Sequence, residues 1–233
     1  MKNSASDKIL NLVYVDKCAL CRKACTDVLC QSCLSKLKVI GSFCCPKCGK
    51  PLGRCICKKL APDFKRCVSA FRYEDAAVSA LVLKFKATGV RKICDILAHF
   101  VADKIRSELS DINFDFVTYV PARRIDVKRK GFNHAQLLAK SVSKLLEVPL
   151  AKPPIKRKGY SKQKFQNAKD RSRSAAKNYV FKPSDALFGN VLLVDDVMTS
   201  GATLSACSKI LRMAGAEEVY CATAATAVKN NKI

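Results

Sequence analysis

Eight cysteines in four close pairs constrain this chain more than any other feature: Cys18-x2-Cys21, Cys30-x2-Cys33, Cys45-x2-Cys48 and Cys55-x-Cys57. Two thiolates two residues apart form a knuckle that grips one side of a tetrahedral ion, and two knuckles complete the site. Four knuckles therefore call for two structural Zn²⁺ ions in a double zinc ribbon, with all eight cysteines as ligands. A loop-rich segment of about 45 residues is too small to fold on its own apolar core, so the metal supplies the folding energy. The spacing leaves open which knuckle joins which. Cys25 and Cys44 break the pattern and read as bystanders, while Gly49 suits the tight turn after a knuckle. Redox chemistry at the CxxC pairs is the alternative, and four closely spaced pairs disfavour it. Cys67, Cys94, Cys207 and Cys221 lie singly in apolar periodic segments and read as small core residues.

The second constraint is the stretch Val191-Leu192-Leu193-Val194-Asp195-Asp196-Val197-Met198-Thr199-Ser200-Gly201-Ala202-Thr203. Its apolar start, rich in β-branched valine, reads as a buried strand over 191–195 of a parallel sheet. Two aspartates stand where that strand should end. A small polar turn follows, and apolar spacing predicts a helix over 202–214. That order builds a site for a sugar phosphate. N–H groups of the turn and helix N-terminus face an anion, and Gly201 lets the backbone approach closely. Thr199, Ser200 and Thr203 add hydroxyl donors. Asp195 and Asp196 can accept hydrogen bonds from vicinal sugar hydroxyls or hold Mg²⁺ through water.

A chain of 233 residues, 49% hydrophobic, has material for one medium domain plus a small one. A linker at Leu60–Arg66 divides a Cys-rich module, 1–66, from a larger domain, 67–233. In the latter, strands at 67–73, 114–120, 191–195 and 219–225 alternate with helices at 75–86, 91–109, 132–148 and 202–214. That alternation predicts an α/β fold, a parallel sheet flanked by helices, with ligands at the carboxyl ends of its strands. The loop Val120-Pro121-Ala122-Arg123-Arg124 follows one strand directly. The stretch Lys152–Lys177 holds ten Lys or Arg against the single acid Asp170, with Tyr160 and Phe165 interleaved. It has no periodicity and reads as a flap whose aromatics suit stacking on single-stranded bases. Across the chain, 43 Lys and Arg face 19 Asp and Glu, a formal net charge of +24. Eight thiolates on two zinc ions would still leave about +20. Such a charge calls for a polyanionic partner, with nucleic acid first and a membrane surface second. No apolar run approaches a membrane span, and Met1–Val15 lacks the pattern of a signal peptide, so a cytoplasmic location is expected.

Val194–Thr203 is similar to the phosphoribosyl-pyrophosphate (PRPP) motif of type I phosphoribosyltransferases. The resemblance implies that Asp195 and Asp196 hold the ribose 2′- and 3′-hydroxyls of Mg²⁺-PRPP. It further implies that Val197, Met198, Thr199, Ser200, Gly201, Ala202 and Thr203 bind the 5′-phosphate, and that Arg123 meets the leaving pyrophosphate. More of the chain joins in: Leu12-x5-Cys18-x2-Cys21, the double ribbon, Val120-Pro121, Arg129-Lys130-Gly131-Phe132-Asn133 and Gln163. Together these resemble the ComF/GntX family of competence-associated phosphoribosyltransferase-like proteins over nearly the whole chain. What the resemblance implies is a zinc module before a type I phosphoribosyltransferase-like domain, and a role in natural transformation with incoming single-stranded DNA. A competence helicase is the implied protein partner. Candidate nucleic-acid contacts are Arg129, Lys130, Lys156, Arg157, Lys158, Tyr160, Lys162 and Lys164. The chain departs from the family pattern at Lys130, where Arg is usual, at His134, where Gln is usual, and at Ala176, where Asn is expected after Arg173.

Three function classes stand against one another. A phosphoribosyltransferase of nucleotide metabolism or salvage needs an acceptor that nothing in the sequence names. The family's purine enzymes carry an acid three positions past the acidic pair, where this chain has Thr199, as orotate-type enzymes do. A PRPP-sensing regulator would need a DNA-reading helix, and no helix-turn-helix pattern is present. A module that binds PRPP and single-stranded DNA during DNA uptake fits the charge, the ribbons and the basic flap together.

Overall fold

The computed structural model describes residues 17–41, 44–157, 179–181 and 188–227. Its helices are α1 (Gln31–Leu34), α2 (Cys57–Leu60), α3 (Ala76–Thr88), α4 (Arg91–Glu108), α5 (Arg124–Lys130), α6 (His134–Leu146) and α7 (Ala202–Met213). Its strands are β1 (Cys67–Arg72), β2 (Phe116–Tyr119), β3 (Ile155–Arg157), β4 (Tyr179–Phe181), β5 (Asn190–Met198) and β6 (Glu218–Thr226). Four strands form one parallel sheet in the order β1-β6-β5-β2. The strands carry runs of Val, Leu, Ala and Cys because helices cover them. Val191, Leu192, Leu193 and Val194 of β5, and Cys221, Ala222, Ala224 and Ala225 of β6, are fully buried. Helices α4 and α6 pack against the sheet and each other, and α7 packs on β5, β6 and the antiparallel pair β3–β4. Because the main strands are parallel, the ends of β2 and β5 open on the same side.

Several elements differ from expectation, among them helix α5 and strand β4, which the sequence pattern does not mark. β5 does not stop at Asp195: it runs through both aspartates to Met198, because β6 extends beside it as far as Thr226, with Asp195 opposite Thr223 and Met198 opposite Thr226. The expected linker is tied down. Phe64 is buried, Lys65 N–H donates to Val219 O at 2.8 Å, and Arg66 O accepts from Cys221 N at 2.9 Å. The basic stretch after Lys152 opens as strand β3, paired antiparallel with β4. The rest of that stretch lies outside the described residues.

The Cys-rich segment shares its core with the sheet. Cys18, Leu29, Cys33, Leu37 and Cys48 belong to the same apolar cluster as the strands and helices. Val39 bridges Phe71, and Ile40 N–H donates to Ala70 O at 2.8 Å, so this segment lies along β1. Two buried lysines fasten the join. Lys104 of α4 donates to Ile40 O at 2.7 Å and pairs with Glu108 at 2.5 Å. Lys50, in the second knuckle pair, donates to Thr226 Oγ1 at 3.0 Å and to Ala227 O at 2.6 Å. Beside it Gly49 has φ +65°, and a Cβ there would meet Cys67 O at 2.3 Å.

Gly49→Ala therefore combines left-handed backbone strain with a clash against backbone that cannot swing away. It should lower stability by about 2–4 kcal/mol, read as a lower urea midpoint at unchanged slope.

Candidate functional site

The site is built at the carboxyl end of β5. Asp195 and Asp196 sit inside the strand, and Asp195 Oδ1 accepts from Asp196 N at 2.9 Å. Thr199 and Ser200 are exposed in the turn. Gly201, φ +76°, is the N-cap of α7, a backbone shape that would strain other residues. Ser200 Oγ accepts from Ala202 N at 3.4 Å, and no acidic side chain stands in the first turn of α7. Met198 is buried and packs its sulfur 3.8 Å from Cys67, so its side chain supports the strand from the core.

Of the acidic pair and its turn, Asp195, Asp196 and Thr203 line a cleft of about 230 Å³ that brings together several elements, whereas Val197, Met198, Thr199, Ser200, Gly201 and Ala202 are not among its lining residues. Asp195, Asp196 and Thr203 form one wall, Val120, Pro121 and Ala122 after β2 form another, and Lys86, His134, Arg157 and Tyr179 complete it. Asn133 fixes the β2 loop: its Nδ2 donates to Val120 O at 3.1 Å while its Oδ1 caps α6 through Ala135 N at 3.1 Å. Asn133 thus ties the loop to the start of the helix.

Sequence reasoning missed Lys86 and Tyr179. Lys86 Nζ lies 3.0 Å from Asp196 Oδ1, while its carbonyl accepts from Lys130 Nζ at 2.9 Å and meets His134 Nε2 at 2.8 Å. Lys130 and His134, two of the departures from the family pattern, therefore hold the end of α3 that carries Lys86. Tyr179 is buried beneath Arg157, whose guanidinium lies 5.5 Å from the ring centre, and its hydroxyl meets Thr203. Burial pushes that hydroxyl well above its ordinary range. Nothing periodic marks either residue; a lysine at the end of an amphipathic helix is usually solvated.

Charge in the cleft is finely opposed. Burial, then the neighbouring Asp196, pushes the Asp195 carboxyl up to about 7 against the pull of the Asp196 N–H, Lys86 and Arg157. A buried acid in that range takes up hydroxyl donors or a cation readily, because either favours the carboxylate.

Other candidates fall elsewhere. Arg123 binds Asp126, Nε to Oδ2 at 2.6 Å and Nη2 to Oδ1 at 3.3 Å, and is not among the residues lining the cleft. Asp126 is held below its ordinary value first by that bond. Arg129 is exposed, 3.6 Å from the same carboxylate. Lys156 is exposed on β3, whereas Arg157, expected to meet nucleic acid, lines the cleft. Lys158, Tyr160, Lys162 and Lys164 lie outside the described residues.

The cysteines gather in two fours, Cys18, Cys21, Cys30, Cys33 and Cys45, Cys48, Cys55, Cys57, each with all its sulfurs within 4.8 Å of one another. This resolves the pairing left open by spacing, and Cys25 and Cys44 are in neither set. Sulfur separations of 3.6 Å for Cys21–Cys30, 3.7 Å for Cys45–Cys57 and 3.8 Å for Cys48–Cys55 are near the edge of a tetrahedron. That edge is about 3.8 Å when metal–sulfur bonds are about 2.3 Å. Burial raises the Cys18 thiol, but N–H groups of Cys21, Cys30 and Leu20 outweigh it and draw it down to about 6. Cys33 goes the other way, to about 12, through burial and hydrogen bonds with Cys21 and Cys30. In the second set Cys45 falls to about 7, backbone N–H groups outweighing burial, while burial drives Cys57 up. Four sulfurs this close together are best accommodated as thiolates around a cation. The donor sets fit one tetrahedral metal ion each.

The chain is similar to known proteins. Residues 125–232 match the phosphoribosyl transferase domain. Competence protein F of Haemophilus influenzae is 29% identical, over 82% of this chain and 87% of its own. Competence protein ComFC of Bacillus subtilis is 26% identical over 78% of this chain and 77% of its own. DNA utilization protein YhgH of Escherichia coli is 26% identical over 76% and 82%.

Elemental analysis of freshly purified protein should find two metal ions per chain. Cys18→Ser and Cys48→Ser should each retain one, since a four-thiolate site seldom keeps its affinity after losing a ligand. Metal-free protein with an unchanged unfolding midpoint would contradict the assignment.

Proposed function

We propose that this chain, a homologue of competence and DNA-utilization proteins with a phosphoribosyl transferase domain, binds Mg²⁺-PRPP in the cleft and single-stranded DNA outside it. Two Zn²⁺ ions hold its Cys-rich segment, and it serves DNA uptake in natural transformation. The observation that carries the reading is the convergence on one cleft of an acidic pair, the start of α7, the loop after β2 and two cations. Asp195 and Asp196 accept the ribose hydroxyls. The turn 197–203 offers N–H and hydroxyl donors to the 5′-phosphate. Lys86 and Arg157, the two cations that line the cleft, meet the pyrophosphate charge in this reading, in place of Arg123, which is outside the lining. The Mg²⁺ that accompanies PRPP neutralises part of the pyrophosphate charge.

In calorimetry, Asp195→Ala together with Asp196→Ala should weaken Mg²⁺-PRPP binding by roughly a hundredfold or more, because each hydrogen bond to a charged group contributes about 1.5–3 kcal/mol. Unchanged binding in the double variant would place the ligand elsewhere. Release of pyrophosphate when single-stranded DNA is added would extend the reading from binding to transfer.

The pH dependence has a defined sign. Ribose hydroxyls bind Asp195 as the carboxylate, and that form is depleted below about pH 7. Affinity should therefore fall by about tenfold per unit as pH drops below this value, and level off above it. Asp195→Asn should lose that limb and keep only the titration of the ligand's own phosphates. A wild-type profile that superimposes on that of Asp195→Asn would show that Asp195 does not meet the ligand.

A further inference from the structure

A second cleft, of about 290 Å³, lies between the first turn of α4 and the outer side of α6. Arg91, Lys140 and Lys144 rim it, Leu137 forms an apolar wall, and Ser141 donates to Asp95 Oδ1 at 2.8 Å on its floor. The three cations are exposed, and among the described residues none has a carboxylate within ion-pair distance. They stand against one acid. Lys140 and Lys144 are one helical turn apart on the same side of α6, with Cβ atoms about 5–6 Å apart. A chain of phosphates can meet both in extended form, whereas a lone phosphate must draw them together.

The two clefts adjoin along one seam. Lys86 borders the first and Gly89 the second, and the end of α3 between them is pinned by Lys130 and His134 on the Lys86 carbonyl. Gly89 lies under the Phe132 ring, close enough that a Cβ would meet it at 2.6 Å. We propose that the second cleft is a phosphate-binding site for the backbone of a single nucleic-acid strand, passing over this seam beside the PRPP cleft. It rests on the reading that the chain binds single-stranded DNA, and adds where the strand lies. Phosphates meet Arg91, Lys140 and Lys144, and Leu137 takes the face of a sugar or base. The contacts are sequence-independent, since none of these groups reads a base edge.

The test compares the full chain with Lys140→Glu/Lys144→Glu and with Lys209→Glu/Arg212→Glu on α7, which changes the net charge equally at another exposed site. Binding of a fluorescein-labelled oligothymidylate is followed by anisotropy across a salt series, and Mg²⁺-PRPP binding by calorimetry. The cleft variant should lose at least about tenfold in oligonucleotide affinity at low salt, with a slope shallower by about 1.4, or 0.7 for each of two phosphates. Its PRPP affinity should stay, which also reports that it is folded. Lys140→Gln/Lys144→Gln should show the same slope with a smaller loss. Equal losses in the cleft and α7 variants would reduce the effect to net charge and overturn the proposal. So would thymidine monophosphate competing as well as the strand. A wild-type chain that binds PRPP but no oligonucleotide sinks this site and leaves the PRPP reading standing; loss of PRPP binding alone does the reverse.

Discussion

Two adjacent carboxylates held inside a parallel strand set the terms for everything around them. Neither can be left at a buried strand end without compensation. Asp196 takes Lys86, and burial, then its neighbour's charge, raises the pKa of Asp195. The supports of Lys86 follow from that demand: Lys130 and His134 hold its backbone from α5 and α6, across a gap in sequence that only the fold closes. Asn133 serves the same end by fixing the opposite wall through Val120. The cleft is thus organised by charge that the strand itself cannot neutralise.

The Cys-rich segment is joined to the sheet domain through lysines whose Nζ atoms reach backbone carbonyls. Lys104 and Lys50 are both buried, yet each finds acceptors at the end of its reach. Burial lowers the pKa of Lys50, the direction expected of an ammonium taken out of water. Long side chains here act as struts between segments that share an apolar cluster, to which Phe64 of the 60–66 stretch also belongs.

Much of this was legible in the sequence. The Cys pairs are legible as two groups of four because the knuckle is a local motif, and the strand, turn and helix around the acidic pair are legible because they are contiguous. The long helices α3, α4, α6 and α7 carried enough apolar spacing to be placed within a few residues. What stayed hidden was non-local or unpatterned. Helix α5, Arg-Ile-Asp-Val-Lys-Arg-Lys, exposes its isoleucine and has no apolar face to give a period. Strands β3 and β4 have three residues each, too short for alternation, and only their pairing puts Arg157 over Tyr179. Lys86 gains its role from Asp196, a partner no local pattern could supply. The length of β5 was underestimated because it depends on β6, which continues beside the aspartates as a partner.

β1 is the outer strand of the sheet, and Val39 and Ile40 of the Cys-rich segment lie along it. An uncovered strand edge is a template for pairing with other chains. The Cys-rich segment covers part of that edge. A chain begun after the last knuckle would present β1 with Phe71 and Ala70 to its neighbours. Its first fault would be clumping, before any loss of grip on a ligand.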